Sequence, residues 1–259
     1  MEENLKKRLE VAAELSWESG KAALKYFRTG VEVELKEDQS PVTVADREVE
    51  QILQGGLLAA FPEDGFLGEE RGEHVGTSGF RWIADPIDGT KSFVRGVPLF
   101  GSLLALEDSA GEVVLGVANL PAIDELTAAA RGEGCYTNGR RVRVSQVASL
   151  AEATVSFTSV DSFKRSGRAA AFEAAWENAS LLRGWGDCYG HLLVASGRVD
   201  VMLDPVLSDW DCAALLPILE EAGGSFTDWN GKRTYKGKSG VSTNGKLAAE
   251  VQAVLTAAS

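Results

Sequence analysis

Apolar residues recur at helical spacing from the start of this chain. Leu5, Leu9, Ala12, Ala13, Trp17, Gly20, Leu24 and Phe27 fall on one stripe and predict a long amphipathic helix closed by Gly30. Residues 31–35, Val-Glu-Val-Glu-Leu, alternate as an edge strand does, and the polar segment 36–41 reads as a loop. A second helix is expected over residues 44–61, carrying Val49, Ile52, Leu53 and Leu57 inward. Two short apolar runs follow, each ending in carboxylates: residues 66–68 lead into Glu69 and Glu70, and residues 80–84 into Asp85-Pro86-Ile87-Asp88-Gly89-Thr90.

Strand-like runs at 100–106, 113–118 and 126–130, separated by turns such as Asp108-Ser109-Ala110-Gly111, predict an antiparallel meander. Residues 132–139 read as a turn-rich connector to a strand at 141–144. Beyond residue 153 strands and helices alternate. Strands are expected at 154–158, 181–182 and 199–203, and helices at 169–176 and 191–195. A last helix carries Ala213, Ala214, Leu215, Ile218 and Leu219 and stops at Gly223-Gly224. Such alternation implies α/β layering in the second half. No linker or repeat parts the halves, so residues 1–259 read as one domain with subdomains of roughly 1–145 and 146–259.

Composition narrows the class. A chain of 259 residues, 44% hydrophobic and 25% charged, can bury a full core and fits a soluble globular protein. Its net charge of −12 argues against nucleic acid and anionic membranes as partners. No apolar run approaches membrane-spanning length, and the charged start Met1-Glu2-Glu3-Asn4 has no signal-peptide pattern. Cys135, Cys188 and Cys212 are scattered, with neither paired nor zinc-binding spacing. A reduced, cytoplasmic protein is expected.

The candidate chemistry lies in the acids. Asp85 and Asp88 flank a Pro-Ile turn and can face one small volume, where two carboxylates repel unless a cation or proton sits between them. Hard divalent ions are held in this way. The Gly89 and Thr90 amides, where a short helix could begin, offer a seat for an anionic oxygen. The alternative is a polar turn with Asp88 or Thr90 as a helix cap. Asp46 and Asp211 are equally open to two readings, because Thr43 and Ser208 precede them at capping-box spacing. Cys135 and Arg141 fit C-x5-R, but a strand follows where a phosphate-cradling helix is needed. Asp85 and Asp88 are three apart, where an aspartyl-phosphate enzyme wants two. The two histidines, His74 and His191, sit in no metal pattern. Water activated by metal held on clustered carboxylates remains.

Gly68-Glu69-Glu70, Asp85-Pro86-Ile87-Asp88-Gly89-Thr90 and Trp210-Asp211 with Glu221-Ala222-Gly223-Gly224 resemble the inositol monophosphatase superfamily over nearly the whole chain, as do Gly132-Glu133-Gly134 and Asn138-Gly139. The resemblance implies a layered αβαβα fold with a mostly antiparallel first sheet, a homodimer, and Mg²⁺-dependent, lithium-sensitive hydrolysis of small phosphomonoesters with two or three Mg²⁺ per site. Carried over residue by residue, Glu69 is a metal ligand, with Glu70 beside it as ligand or outer partner. Asp85 bridges two metals, the Ile87 carbonyl binds the first, and Asp88 and Asp211 bind the second. Thr90, hydrogen-bonded to Asp46, orients and deprotonates the attacking water, the Gly89 and Thr90 amides hold phosphate, and Lys36 rides a loop that helps close the site. The segment 183–191, with Gly197-Arg198, looks most like the histidinol-phosphate phosphatase branch. Asp187 and Asp204 are then expected to face a cationic leaving group, Asp187 having capping of the next helix as its other role. An inositol or other polyol phosphatase is the alternative substrate class. A non-catalytic binder of phosphorylated metabolites would have lost a ligand or the Thr90/Asp46 pair, and none is missing.

Overall fold

In a computed structural model, residues 2–36 and 40–257 are described. Glu37, Asp38 and Gln39 of the expected loop, and Met1 of the charged start, lie outside the described residues. The first half runs α1 (Glu2–Tyr26), β1 (Val33–Leu35), β2 (Pro41–Thr43), α2 (Val44–Ala60), β3 (Gly65–Gly68), β4 (Gly72–His74), β5 (Arg81–Asp88), α3 (Thr90–Val94), β6 (Gly101–Glu107), β7 (Val113–Leu120), β8 (Glu125–Ala130), β9 (Gly134–Thr137) and β10 (Arg140–Arg141). The second runs β11 (Thr154–Phe157), α4 (Val160–Arg165), α5 (Ala169–Asn178), β12 (Leu181–Arg183), α6 (Asp187–Ala195), β13 (Val201–Asp204), α7 (Asp209–Ala213), α8 (Leu215–Glu221), β14 (Ser225–Thr227), β15 (Gly240–Thr243) and α9 (Ala248–Ala257).

These elements stack in five layers. The apolar stripes of α1 and α2 cover one face of an eight-stranded sheet ordered β10-β9-β8-β7-β6-β5-β3-β4, burying Leu53, Leu57, Phe66 and Trp82 completely. Each fully buried Leu or Phe side chain contributes about 1.5–3 kcal/mol. Every neighbouring pair in that sheet is antiparallel except β3 with β5. Its other face packs on α6, α7 and α8, whose far side meets a five-stranded sheet ordered β12-β11-β13-β15-β14. In that sheet β11 is parallel to both β12 and β13. Helices α4, α5 and α9 form the outer layer, with Phe163, Ala175, Val251 and Leu255 in its core. This is the αβαβα sandwich that the resemblance implies. No helix among the described residues is long and apolar enough to cross a membrane.

Three expectations are corrected. Residues 142–144 are not a strand: Val142 bonds back to the Cys135 carbonyl and Val144 crosses to that of Ala222, so the segment leaves the sheet instead of extending it. The connector at 132–139 does hold a strand, β9, whose glycine-rich ends hid the strand-forming Cys135, Tyr136 and Thr137. The last helix is broken at Ala214, because Pro217 has no N–H to donate and its ring crowds the carbonyl one turn earlier. That break lets the chain graze the first sheet. A Cβ on Gly116 would stand 2.2 Å from the Ala214 carbonyl oxygen. Gly116→Ala should therefore lower stability by about 1–3 kcal/mol, a fall of roughly 2–10 °C in calorimetric Tm. An unchanged Tm would mean that this contact does not seat α7.

Candidate active site

A flat strand would send Asp85 and Asp88 to opposite faces, since side chains alternate with period two. The β5–β6 register slips between Asp85 and Asp88, at Pro86, which can give no ladder hydrogen bond. The irregularity turns both acids the same way. Ser208 and Asp211 form a capping box at the start of α7, with the Ser208 amide donating to Asp211 Oδ2 at 2.7 Å. One oxygen each from Asp85, Asp88 and Asp211 thereby comes within 4.8 Å of the others. Gly89 follows with φ +79°, a left-handed turn favouring glycine, and a Cβ there would stand 3.1 Å from Asp187 Oδ2.

Burial, reinforced by Glu69, Asp88 and Asp211, holds the Asp85 carboxyl well above the ordinary carboxylate range. Asp88 is raised likewise by burial and then by Asp187 and Asp211, and burial pushes Asp211 up to about 6. Asp85 Oδ1 is buried with no hydrogen-bond partner. Such a set is short of positive charge. An all-oxygen, carboxylate-rich group with an orphaned buried oxygen fits a hard divalent cation such as Mg²⁺.

Around this centre the structure sorts the other candidates. Lys36 Nζ bridges Glu69 at 2.7 Å and Glu70 at 2.5 Å, and the Glu70 amide donates to Glu50 at 2.8 Å. Burial opposes the Lys36 charge, but the two carboxylates raise its pKa on balance. Asp46 takes the capping role: its Oδ2 accepts from both the amide and the hydroxyl of Thr43, each at 2.7 Å. Burial nevertheless pushes Asp46 up to about 6. The expected Thr90–Asp46 hydrogen bond is not made, because the Thr90 hydroxyl donates to the Ile87 carbonyl, 2.9 Å away across the turn. Asp187 does not cap α6. It is the first residue of that helix, at φ +53°, and Asp88 Oδ2 accepts from the next amide, Cys188, at 2.5 Å.

A cavity of about 630 Å³ is lined by Glu69, Asp88 and Asp211 of this centre together with Asp187 and Asp204, with Lys36, Lys91 and Arg165 also at its surface. Asp187 also borders the space over Asp85, Gly89 and Thr90. Burial first, then Asp204 and Asp211, pushes Asp187 up to about 7, against a lowering by Lys91. Glu50 and Thr158 were missed by the sequence reading. Glu50 follows Asp46 by four residues and so shares its helix face, and Thr158 follows a strand end, where α/β sheets bind ligands.

The raised acids make stability depend on pH and cation together. A carboxyl whose folded pKa exceeds its unfolded value keeps a proton on folding, and that advantage fades as pH rises toward the folded pKa. For Asp46, Asp211 and Asp187 the window runs from about 4 to about 7. Glu34, hydrogen-bonded to Arg47, and Glu107, whose bonds to Tyr235, Lys236 and Arg81 outweigh its burial, are shifted the opposite way, downward. The metal-free protein should lose Tm between pH 5.5 and pH 7.5. Mg²⁺ at about a hundred times its Kd should restore about 2.7 kcal/mol, roughly 5–10 °C, at the higher pH and far less at the lower. An equal Mg²⁺ effect at both would remove these acids from the binding site.

Comparison with known proteins agrees with this geometry. The model of the inositol monophosphatase family matches residues 4–258. A histidinol-phosphatase of Chlorobaculum parvum is 45% identical, covering 95% of this chain and 96% of its own. An inositol-1-monophosphatase of Rhizobium meliloti is 37% identical over 86% of each. Among solved structures, the extragenic suppressor protein suhB of Bartonella henselae superposes with a TM-score of 0.88 at 30% identity, covering 96% of this chain and 98% of that one. With a family model spanning nearly its whole length and a relative this similar end to end, the chain belongs to the inositol monophosphatase family.

Proposed function

We propose that this chain is a Mg²⁺-dependent phosphomonoesterase whose preferred substrate is L-histidinol phosphate, hydrolysed to L-histidinol and phosphate. One observation carries the reading: a single cavity brings a carboxylate cluster fit for a cation together with two further carboxylates, Asp187 and Asp204. A phosphate held on the cluster leaves its alcohol portion within the same cavity as these two. Histidinol offers an ammonium and an imidazole there, both able to make charge-assisted hydrogen bonds to carboxylates. The name of the Chlorobaculum relative supports the same substrate.

In this reading Glu69, Asp85, Asp88, Asp211 and the Ile87 carbonyl hold two Mg²⁺, with Glu70 as a further ligand or outer partner and a third ion near the Lys36 loop. Bound Mg²⁺ would neutralise phosphoryl charge and lower the pKa of a bound water. The Gly89 and Thr90 amides hold phosphate oxygens. The Ile87 carbonyl keeps a second lone pair for a cation, and pairing Thr90 with Asp46 requires the Thr90 hydroxyl to turn away from Ile87. Asp46, already fixed by Thr43, then accepts from Thr90 while Thr90 orients the attacking water. We also expect inhibition by lithium, a homodimer by sedimentation, one folded unit, and a cytoplasmic location consistent with three buried free thiols.

Inositol 1-phosphate is the second reading. Lys91 partly offsets Asp187, which would suit a neutral polyol, and the Rhizobium relative is named for that activity. Phosphate release from both esters, with Mg²⁺ and with chelator, tests the proposal. We expect Mg²⁺-dependent release favouring histidinol phosphate. A preference for inositol 1-phosphate overturns the substrate, and release of neither overturns the activity.

A further inference from the structure

His191 is 1% exposed on α6, one turn beyond Asp187. Its Nδ1 lies 2.7 Å from the Ser242 hydroxyl of β15, while Nε2 is buried with no hydrogen-bond partner. The nearest acid to Nε2 is Asp204 Oδ2, at 3.4 Å. That same oxygen already accepts from the Thr158 hydroxyl at 2.7 Å, and Thr158 Oγ1 accepts from the Asp187 amide at 2.8 Å. Hydrogen bonds thus run from the Asp187 amide through Thr158 Oγ1 to Asp204, which Nε2 of His191 approaches from the other side, and Asp187 and Asp204 both line the cavity. A buried ring nitrogen left unpaired carries its full desolvation penalty, which a merely core histidine would not be expected to retain.

We infer that His191 is a positioning residue for substrate choice: with Nδ1 accepting from Ser242, its Nε2–H faces Asp204 and, with Thr158, fixes that carboxylate against the cavity. The inference rests on the reading of Asp187 and Asp204 as the leaving-group wall. At 3.4 Å the contact is looser than an ordinary hydrogen bond and chiefly electrostatic. His191 therefore acts through Asp204 and reaches the alcohol portion of the substrate, leaving the phosphate end untouched.

Two substitutions separate positioning from packing. A glutamine amide reaches about as far as Nε2 and can donate to Asp204, whereas an asparagine amide stops near Nδ1. His191→Asn should raise KM for histidinol phosphate roughly five- to tenfold with kcat and inositol 1-phosphate turnover unchanged, and His191→Gln should keep KM near that of the parent. Equal effects of the two variants, or equal losses on both substrates, overturn the inference. If neither variant folds, nitrogen-15 imidazole spectra of the intact, substrate-free protein decide it. The chain has two histidines, and His74, on the exposed strand β4, serves as reference. We expect the Nε2–H tautomer for His191 and a shift of its signals, but not those of His74, in Asp204→Asn. An Nδ1–H tautomer, or His191 signals indifferent to Asp204→Asn, overturns the assignment. Because these spectra need no substrate, they stand even if histidinol phosphate proves to be the wrong ester.

Discussion

Asp85→Asn should abolish phosphatase activity while making the metal-free protein more stable. The two effects share a cause. Asp85 is 2% exposed, crowded by Glu69, Asp88 and Asp211, and has one oxygen without a partner. In the absence of a cation its charge is a liability, and an amide of the same shape removes it while offering an N–H to Asp211. A gain of about 1 kcal/mol, roughly 2–4 °C in Tm, is expected without Mg²⁺. The same exchange deletes the ligand placed to bridge two ions. The rate should fall roughly a thousandfold or more, at least about 4 kcal/mol in activation free energy, and Mg²⁺ should no longer raise Tm. Calorimetry with and without Mg²⁺, beside the phosphate assay, reads all three quantities. A variant that is less stable without metal, yet still stabilised by Mg²⁺, would mean that Asp85 is structural.

The second large effect is selective. Asp187→Asn should cut kcat/KM for histidinol phosphate roughly 10- to 100-fold, the worth of a hydrogen bond to a charged partner of about 1.5–3 kcal/mol. Turnover of inositol 1-phosphate should change by less than about threefold, within the effect of a neutral contact. Asparagine is a fair probe here because Asp187 sits at φ +53°, a conformation that Asn also tolerates, so the backbone of the first turn of α6 is kept. The Asp187 side chain makes no cap hydrogen bond to α6, so the helix should not fray. Parallel kinetics on the two esters provide the check. Equal losses on both would show that Asp187 serves the phosphate end through Gly89 or Ser92, with Ser92 Oγ 3.5 Å from its carboxylate.

The periodicity of the chain determined most of the elements and their layering. The stripe through Leu5, Leu9 and Ala12, the inward face of α2 at Val49, Leu53 and Leu57, the β6–β7–β8 meander and the β11–α5–β12 alternation are local patterns. Trp17 and Leu24, expected on the α1 stripe, are instead exposed, and Ile52 lies outside the core, because each helix turns a narrower face to the sheet than the apolar spacing suggested. The carboxylates were legible too, because Glu69 with Glu70 and Asp85 with Asp88 each stand at the end of an apolar run, and Asp211, in Trp210-Asp211, follows Ser208 at capping-box spacing. What stayed hidden depended on contacts between distant segments. Only the folded chain shows that a slip between β5 and β6 turns Asp85 and Asp88 to one side, or that Gly116 must be bare for the break at Ala214 to seat α7 beside them. Capping boxes at Asp46 and Asp211 were visible as spacings, yet whether those acids cap or face the site could not be read from spacing. The structure makes both do so as caps and brings Asp211 into the cluster as well. Thr90 illustrates the limit: its hydroxyl goes to the Ile87 carbonyl three residues back, not to Asp46 far away in sequence. Local hydrogen bonds follow from sequence because the chain itself brings the partners together. The hydrogen bonds from the Asp187 amide through Thr158 to Asp204, and the approach of His191, do not, because only packing across two sheets puts those groups within reach of one another.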